Sequence, residues 1–194
     1  MTDSRDSALD TAARIAAGDD GSTYDNVSIW LHWATALLVV ANFALAETWD
    51  WFPKSARELM EDGHMSFGVL LTAVIIVRIA WRLTPGHAVA TITGGWVRLA
   101  SKSVHYLLYA LLAAEAVLGF AFRWGAGRPM EFFGLGIPPM IAEMARPDRR
   151  FLRELHEWNG WAIVIIAGLH ALGALYHHYV VKDRVLVRML PRRS

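Results

Sequence analysis

Four histidines lie within one stretch, residues 155–181, that is long and apolar enough to cross a bilayer. Ionisable side chains inside a membrane are costly and mark candidate functional sites. His156 and His170 are 14 residues apart, which on an α-helix brings them within roughly 40° of one face and separates them by about 21 Å along the axis. Each imidazole would then lie near a different membrane surface. This spacing predicts a helix that supplies one ligand to each of two haem groups.

The composition is typical of a small membrane-embedded domain. The chain has 194 residues, of which 55% are hydrophobic, and a mean hydropathy of +0.30, which excludes an ordinary soluble domain. It has no cysteine, which excludes iron–sulfur clusters of the usual thiolate kind, thioether-attached haem and disulfides. A redox cofactor must then be held by histidine without a covalent link. We expect membrane lipid, and no nucleic acid, as a partner.

Four apolar segments can position the histidines. The predicted fold is all-α, an integral membrane four-helix bundle with both termini cytoplasmic, because the short loop and the C-terminal tail place Lys and Arg close to the span ends on that side. The predicted spans are 28–47, 64–83, 103–122 and 155–181. Residues 1–23 have no apolar core of signal-peptide length and are predicted to be an uncleaved, disordered cytoplasmic tail. Residues 24–194 are predicted to be the four-helix domain.

The depth of each histidine along its span predicts two pairs, one near each membrane surface. His32 and His170 are predicted to bind the inner haem, on the side of the termini. His64 and His156 are predicted to bind the outer haem, on the side of the long loop. A porphyrin against a helix needs a small residue one turn from its ligand, because positions i and i+4 share a face. The residues four positions after these histidines are Ala36, Gly68, Gly160 and Ala174. The alternative is coincidence, because Ala and Gly are common in membrane helices.

Arg78 is a second ionisable residue at haem depth. It lies 14 residues after His64, and so on the same face about 21 Å deeper, at the level of the inner haem. A guanidinium there needs an anionic partner, and a haem propionate would serve. The alternative is that Arg78 snorkels to the lipid headgroups.

Two further histidines suggest a quinone site at the inner surface. His177 lies seven residues after His170, on the same face and about 10 Å nearer the terminal side. His105 enters the third span from that surface, with Lys102 nearby. These side chains could hydrogen-bond a quinone carbonyl and supply protons. The alternative is that both are interfacial histidines bound to water or propionates.

The segments around these histidines resemble the bacterial cytochrome b561 family. The resemblance is carried by SIWLHW, HMSFG, LHEWNGW and GLHALGALYHHYVVKDRVLVRMLP, and covers about residue 24 to the C-terminus. It implies a multi-pass protein of the bacterial inner membrane with two non-covalent haem b groups. Family members of this size include a superoxide oxidase, which passes electrons from superoxide to ubiquinone. Glu115 departs from the family pattern, in which an apolar residue or proline is expected.

The expected activity is therefore oxidation of superoxide at the periplasmic face and reduction of ubiquinone, with another small electron donor also compatible. The first alternative is a haem-b anchor subunit that passes electrons between a partner dehydrogenase or hydrogenase and the quinone pool. A histidine-lined metal transporter is a second alternative, but its ligands would have to converge at one depth.

Arginines cluster just before His156, in the segment RPDRRFLRELHE. Clustered positive charge at a cleft raises the on-rate of a small anion, and superoxide is such an anion. Arg149, Arg150 and Arg153 are therefore predicted to steer superoxide to the outer haem. The alternative is that they pair with the neighbouring acids or with lipid phosphates.

Overall fold

The chain folds into four long helices, seen in a computed structural model that describes residues 24–84 and 95–191. The helices are α1, Asn26–Thr48; α2, Lys54–Leu83; α3, Gly95–Gly125; and α4, Arg146–Tyr176. All four are long and apolar enough to cross a membrane, which confirms the predicted all-α membrane bundle. The predicted tail, residues 1–23, lies outside the described residues.

Three of the helices begin well before the predicted spans. α2 begins at Lys54 and α4 at Arg146, whereas the predicted spans begin at residues 64 and 155. Hydropathy identifies only the lipid-embedded part of a helix. The polar first turns of these helices are stabilised by ion pairs between residues four apart, such as the one that joins Arg57 Nε to Glu61 Oε1 at 2.7 Å.

The loop between α3 and α4 contains a short hairpin that was not predicted. Its strands are β1, Met130–Phe132, and β2, Leu135–Ile137, paired antiparallel. Three-residue strands are too short to show a periodic pattern in the sequence. The hairpin packs on α2, where the backbone N–H of Phe133 donates to Ser66 Oγ at 2.9 Å. It therefore covers the loop end of the bundle, two residues from His64.

The apolar core lies midway between the two histidine levels. Its buried members are Leu71, Ile75, Leu112 and Ile163. Ile163 is seven residues from His156 and seven from His170, so it separates the two positions on α4. Many other apolar side chains of the spans are exposed, including Leu37 at 71% and Ile165 at 56%. Such side chains suit contact with lipid.

Both described ends of the chain meet at one end of the bundle. The indole N–H of Trp33 donates to the carbonyl of Met189 at 2.7 Å, and the Arg188 guanidinium lies 5.7 Å from the ring centroid of Tyr24. Between α4 and this segment, His177–Val181 forms a π-helical turn. Lys182 follows with a φ of 59° and ends the helix.

Candidate functional site

At the loop end of the bundle, α2 and α4 bring His64 and His156 together, with their rings nearly perpendicular. Their ring centroids are 6.2 Å apart and their planes are 88° apart. The Nδ1 of His64 lies 3.0 Å from the main-chain carbonyl of Asn42, so Nδ1–H donates there. The Nε2 of His64 is then unprotonated and available to a metal ion. These two histidines are called the loop-side pair.

At the terminal end, α1 and α4 bring His32 and His170 together. Their ring centroids are 6.3 Å apart and their planes 71° apart. We call these two histidines the terminal-side pair. One helix, α4, thus contributes to both pairs, as its 14-residue spacing requires.

The separation within each pair fits one iron ion between two imidazoles. Imidazole nitrogen binds a transition-metal ion at about 2 Å, so two rings on opposite sides of one ion have centroids roughly 6 Å apart. The observed 6.2 and 6.3 Å agree with this value. His105 also touches His170, but at a centroid distance of 5.0 Å. That separation is too short for an ion between them, which leaves His105 as a neighbour of the pair.

Arg78 points at the terminal-side pair. Its Nη2 lies 3.1 Å from Nδ1 of His32, and its guanidinium carbon lies 5.3 Å from the ring centroid of Tyr109. A guanidinium only donates, so Nδ1 accepts in this arrangement. An imidazole that binds iron through Nε2 carries its proton on Nδ1. Iron binding through Nε2 of His32 would therefore require Arg78 to release Nδ1, which would leave its charge available to an anionic group.

The three quinone candidates occupy different places at the terminal end. His105 Nδ1 donates to the Ser101 carbonyl at 2.6 Å, and its ring contacts His170. Lys102 is exposed on α3. His177 lies on the π-helical turn, where its Nδ1 is 2.5 Å from Asp183 Oδ2.

Asp183 anchors the segment that follows the last span. Burial opposes ionisation of its carboxyl, but hydrogen bonds from the Val185 N–H and from His177 outweigh that effect and lower the pKa of Asp183 below its usual value. The carboxylate therefore stays ionised at neutral pH. It holds the His177 ring in one orientation and leaves Nε2 of that ring facing away from the carboxylate.

The arginine cluster before His156 is largely paired. Arg150 Nε lies 2.8 Å from Glu154 Oε1, and Arg153 Nε lies 2.7 Å from Glu157 Oε1. Both pairs are exposed, and each acid cancels part of the field of its arginine. Arg149 forms no ion pair with any residue in the described ranges. Of the three predicted steering residues, it is the one best able to attract an anion.

Sequence reasoning singled out Glu115 as unusual without assigning its contacts. Its Oε1 lies 3.3 Å from Nδ1 of His156. Asn159, one turn after His156 on α4, donates through Nδ2 to Glu115 Oε2 at 2.7 Å and to the Leu111 carbonyl at 2.9 Å. An asparagine three residues after a candidate ligand histidine, together with an acid within another predicted span, is the signal that could have identified this group.

Several known proteins match this chain over most of its length. Residues 23–192 match the family model described as prokaryotic cytochrome b561. Cytochrome b561 homolog 2 of Escherichia coli K12 is 32% identical over 179 residues, covering 88% of this chain and 93% of the relative. Cytochrome b561 homolog 1 of the same strain is 29% identical over 175 residues, covering 88% and 98%. A protein named probable superoxide oxidase CybB, from Yersinia pestis, is 30% identical over 172 residues, covering 88% and 97%.

Proposed function

Since this chain belongs to the prokaryotic cytochrome b561 family, we propose that it moves electrons across the bilayer through two b-type haems, one at each histidine pair. Family membership makes it a haem-binding electron-transfer protein that passes several times through the bacterial inner membrane. The observation that carries the proposal is the near-identical separation of the two pairs, 6.2 and 6.3 Å. We assign His64 and His156 to the loop-side haem. We assign His32 and His170 to the terminal-side haem.

The chain's own residues prepare these positions for electron transfer. When bound at each pair, a haem would supply one-electron redox chemistry. Ligation by two imidazoles would suit electron transfer and disfavour oxygen binding. The Asn42 carbonyl keeps the proton of His64 on Nδ1 and therefore presents Nε2 to the metal. The Leu71 and Ile163 side chains fill the space between the layers and exclude water from it.

Arg78 supports the terminal-side haem in this proposal. Its guanidinium lies inside the bundle beside His32 and Tyr109, where an isolated positive charge is unfavourable. A haem propionate would neutralise it and accept its fork of hydrogen bonds. That role also removes the arginine from Nδ1 of His32, as iron binding requires.

We propose superoxide as the electron donor, at a periplasmic loop side, and ubiquinone as the acceptor, with both termini cytoplasmic. Each superoxide loses one electron and becomes O₂, and the quinone takes up two electrons and two protons to become quinol, so two superoxide ions reduce one quinone. A relative that bears the name probable superoxide oxidase supports this choice. His105, His177 and Lys102 are the proposed hydrogen-bond partners and proton donors of the quinone.

The decisive test is a redox-difference spectrum together with the haem-to-protein ratio of the purified chain. We expect two low-spin haems per chain. Replacing either His64 or His156 by Ala should remove one spectral component, and replacing either His32 or His170 should remove the other. His178→Ala is the matched control, because this histidine follows the last assigned ligand and contacts Tyr179; both haems should remain.

Either of two results would contradict the proposal. One haem or none in the wild-type chain would remove the central assignment. Loss of the same spectral component in His32→Ala and His64→Ala would show that the two pairs are wrong. Copurification of an iron–sulfur subunit would instead favour an anchor that serves a partner dehydrogenase over a superoxide-oxidising enzyme.

A further inference from the structure

An acidic side chain lies inside the bundle beside a proposed haem ligand. The carboxyl of Glu115, on α3, is 3.3 Å from Nδ1 of His156, and the two side chains are only 21% and 20% exposed. The Nδ1 atom is itself buried and has no hydrogen-bond partner within the described residues. A buried N–H without an acceptor is unfavourable by about 1–3 kcal/mol. A small rotation of Glu115 would supply that acceptor.

The surroundings of Glu115 hold its carboxyl in this place. Asn159 donates to Oε2 at 2.7 Å and leaves Oε1 for His156. A Cβ added at Gly160 would lie 3.2 Å from Oε1, and one added at Gly119 would lie 3.3 Å from Cε1 of His156. Gly160, which the sequence analysis assigned to the porphyrin, thus makes room for the carboxyl. The glycines and the asparagine together form a pocket for this side chain.

We propose that Glu115 is a positioning residue for the loop-side haem, accepting a hydrogen bond from His156 Nδ1–H and lowering the reduction potential of that haem. The proposal rests on the assignment of His156 as an iron ligand. An acceptor on the second nitrogen fixes the tautomer that offers Nε2 to the metal and makes the ring a stronger donor to it. A more strongly donating ligand favours ferric over ferrous iron, and so lowers the potential.

The two ends of the bundle differ in the groups that lie beside the histidines. The loop-side pair has the Glu115 carboxyl beside one ring and a neutral main-chain carbonyl beside the other. The terminal-side pair has the Arg78 guanidinium 3.1 Å from His32. A nearby cation favours the ferrous state. The loop-side haem should therefore have the lower potential of the two, which makes electron transfer from the loop side to the terminal side favourable.

Redox titration of the haem-loaded protein tests this role. Glu115→Leu should raise the midpoint potential of the loop-side haem by about 59 mV, which is a tenfold change in the one-electron equilibrium constant. Glu115→Gln should give a smaller rise, because its amide oxygen still accepts a hydrogen bond. The terminal-side haem should not change in either variant. Thr72→Val is the matched control, since its hydroxyl bonds within α2, to the Gly68 carbonyl at 2.8 Å, and it should leave both potentials unchanged.

The outcomes separate this inference from the haem assignment. An unchanged loop-side potential in Glu115→Leu, with both haems bound, would overturn the inference. An equal rise at both haems, or an equal rise in Thr72→Val, would overturn it as well. If Glu115→Leu does not retain the loop-side haem, the loop-side midpoint potential of Glu115→Gln tests the inference, and an unchanged value would overturn it. Retention of both haems in His156→Ala would contradict the ligand assignment itself.

Discussion

Three of the four proposed ligand histidines differ in the group that their Nδ1 atom faces. His64 faces a neutral carbonyl, His156 a carboxyl, and His32 a guanidinium. Because the group on Nδ1 decides which tautomer is present and how strongly Nε2 binds a metal, chemically identical ligands can give two different haems. Under the proposed assignment, the Arg78 guanidinium would have to move away from Nδ1 for His32 to bind iron.

Arg78→Gln should lower the midpoint potential of the terminal-side haem, by about the same tenfold change in equilibrium constant. The physical reason is that a cation near the haem stabilises the ferrous state, and glutamine is uncharged. Redox titration measures the change. Arg82→Gln is the control, because Arg82 lies one turn further along α2 and is exposed. If the two variants shift the potential equally, Arg78 acts only through general charge and not through a propionate.

The helix α4 contributes to both histidine pairs. It carries one histidine of each pair and is followed by the π-helical turn His177–Val181. The bond between His177 and Asp183 ties that turn to the following segment. The turn therefore connects the helix of the terminal-side pair to the C-terminal segment, beside the proposed quinone site.

His177→Ala and His105→Ala should each slow reoxidation of the reduced haems by ubiquinone, by about 10²-fold if the ring is a proton donor. Stopped-flow absorbance of the haem band at several quinone concentrations measures both rate and affinity. His178→Ala offers a neighbouring control on the same turn and should reoxidise normally. Normal rates and affinities in both the His105 and the His177 variants, with the haems intact, would remove these residues from the quinone site.

The loop end of the bundle is rich in arginine, but neighbouring glutamates neutralise most of this charge. The pairs Arg150 with Glu154 and Arg153 with Glu157 contribute little net field. The positive charge that remains nearest to His156 along α4 is that of Arg149. Long-range attraction of an anion should thus depend more on this residue than on its neighbours.

Reduction of the haems by superoxide should slow as ionic strength rises, because the Debye length falls to about 10 Å at 0.1 M salt. At low salt, Arg149→Glu should slow the reaction by about tenfold, at the lower end of electrostatic steering. Arg150→Glu should have a smaller effect, since Glu154 already offsets that charge. If neither salt nor either of the two charge reversals changes the rate, electrostatic steering is excluded. Docking of a protein or a neutral small molecule would then be favoured.

The fold class, and the separation of the histidines into two depths along the spans, could be predicted from the sequence. Residues 14 positions apart on a straight helix share a face at different depths, and this holds whatever the helix packs against. The positions of His156 and His170 on α4 could therefore be predicted without knowledge of the other helices. The membrane bundle was predicted from four apolar stretches. The family resemblance followed from the same segments, and the match over residues 23–192 confirms it.

The groups that face each histidine follow from the packing of the helices and not from the sequence pattern. The contacts of Glu115 with His156 and of Arg78 with His32 join side chains 41 and 46 positions apart. Such contacts depend on how each helix is rotated about its axis and on which helices are neighbours. The hairpin on Ser66 and the ion pairs of Arg150 and Arg153 were likewise settled by local packing and rotamers. The period of a single helix carries no information about its partner's rotation, so these contacts appear only when the helices are packed together.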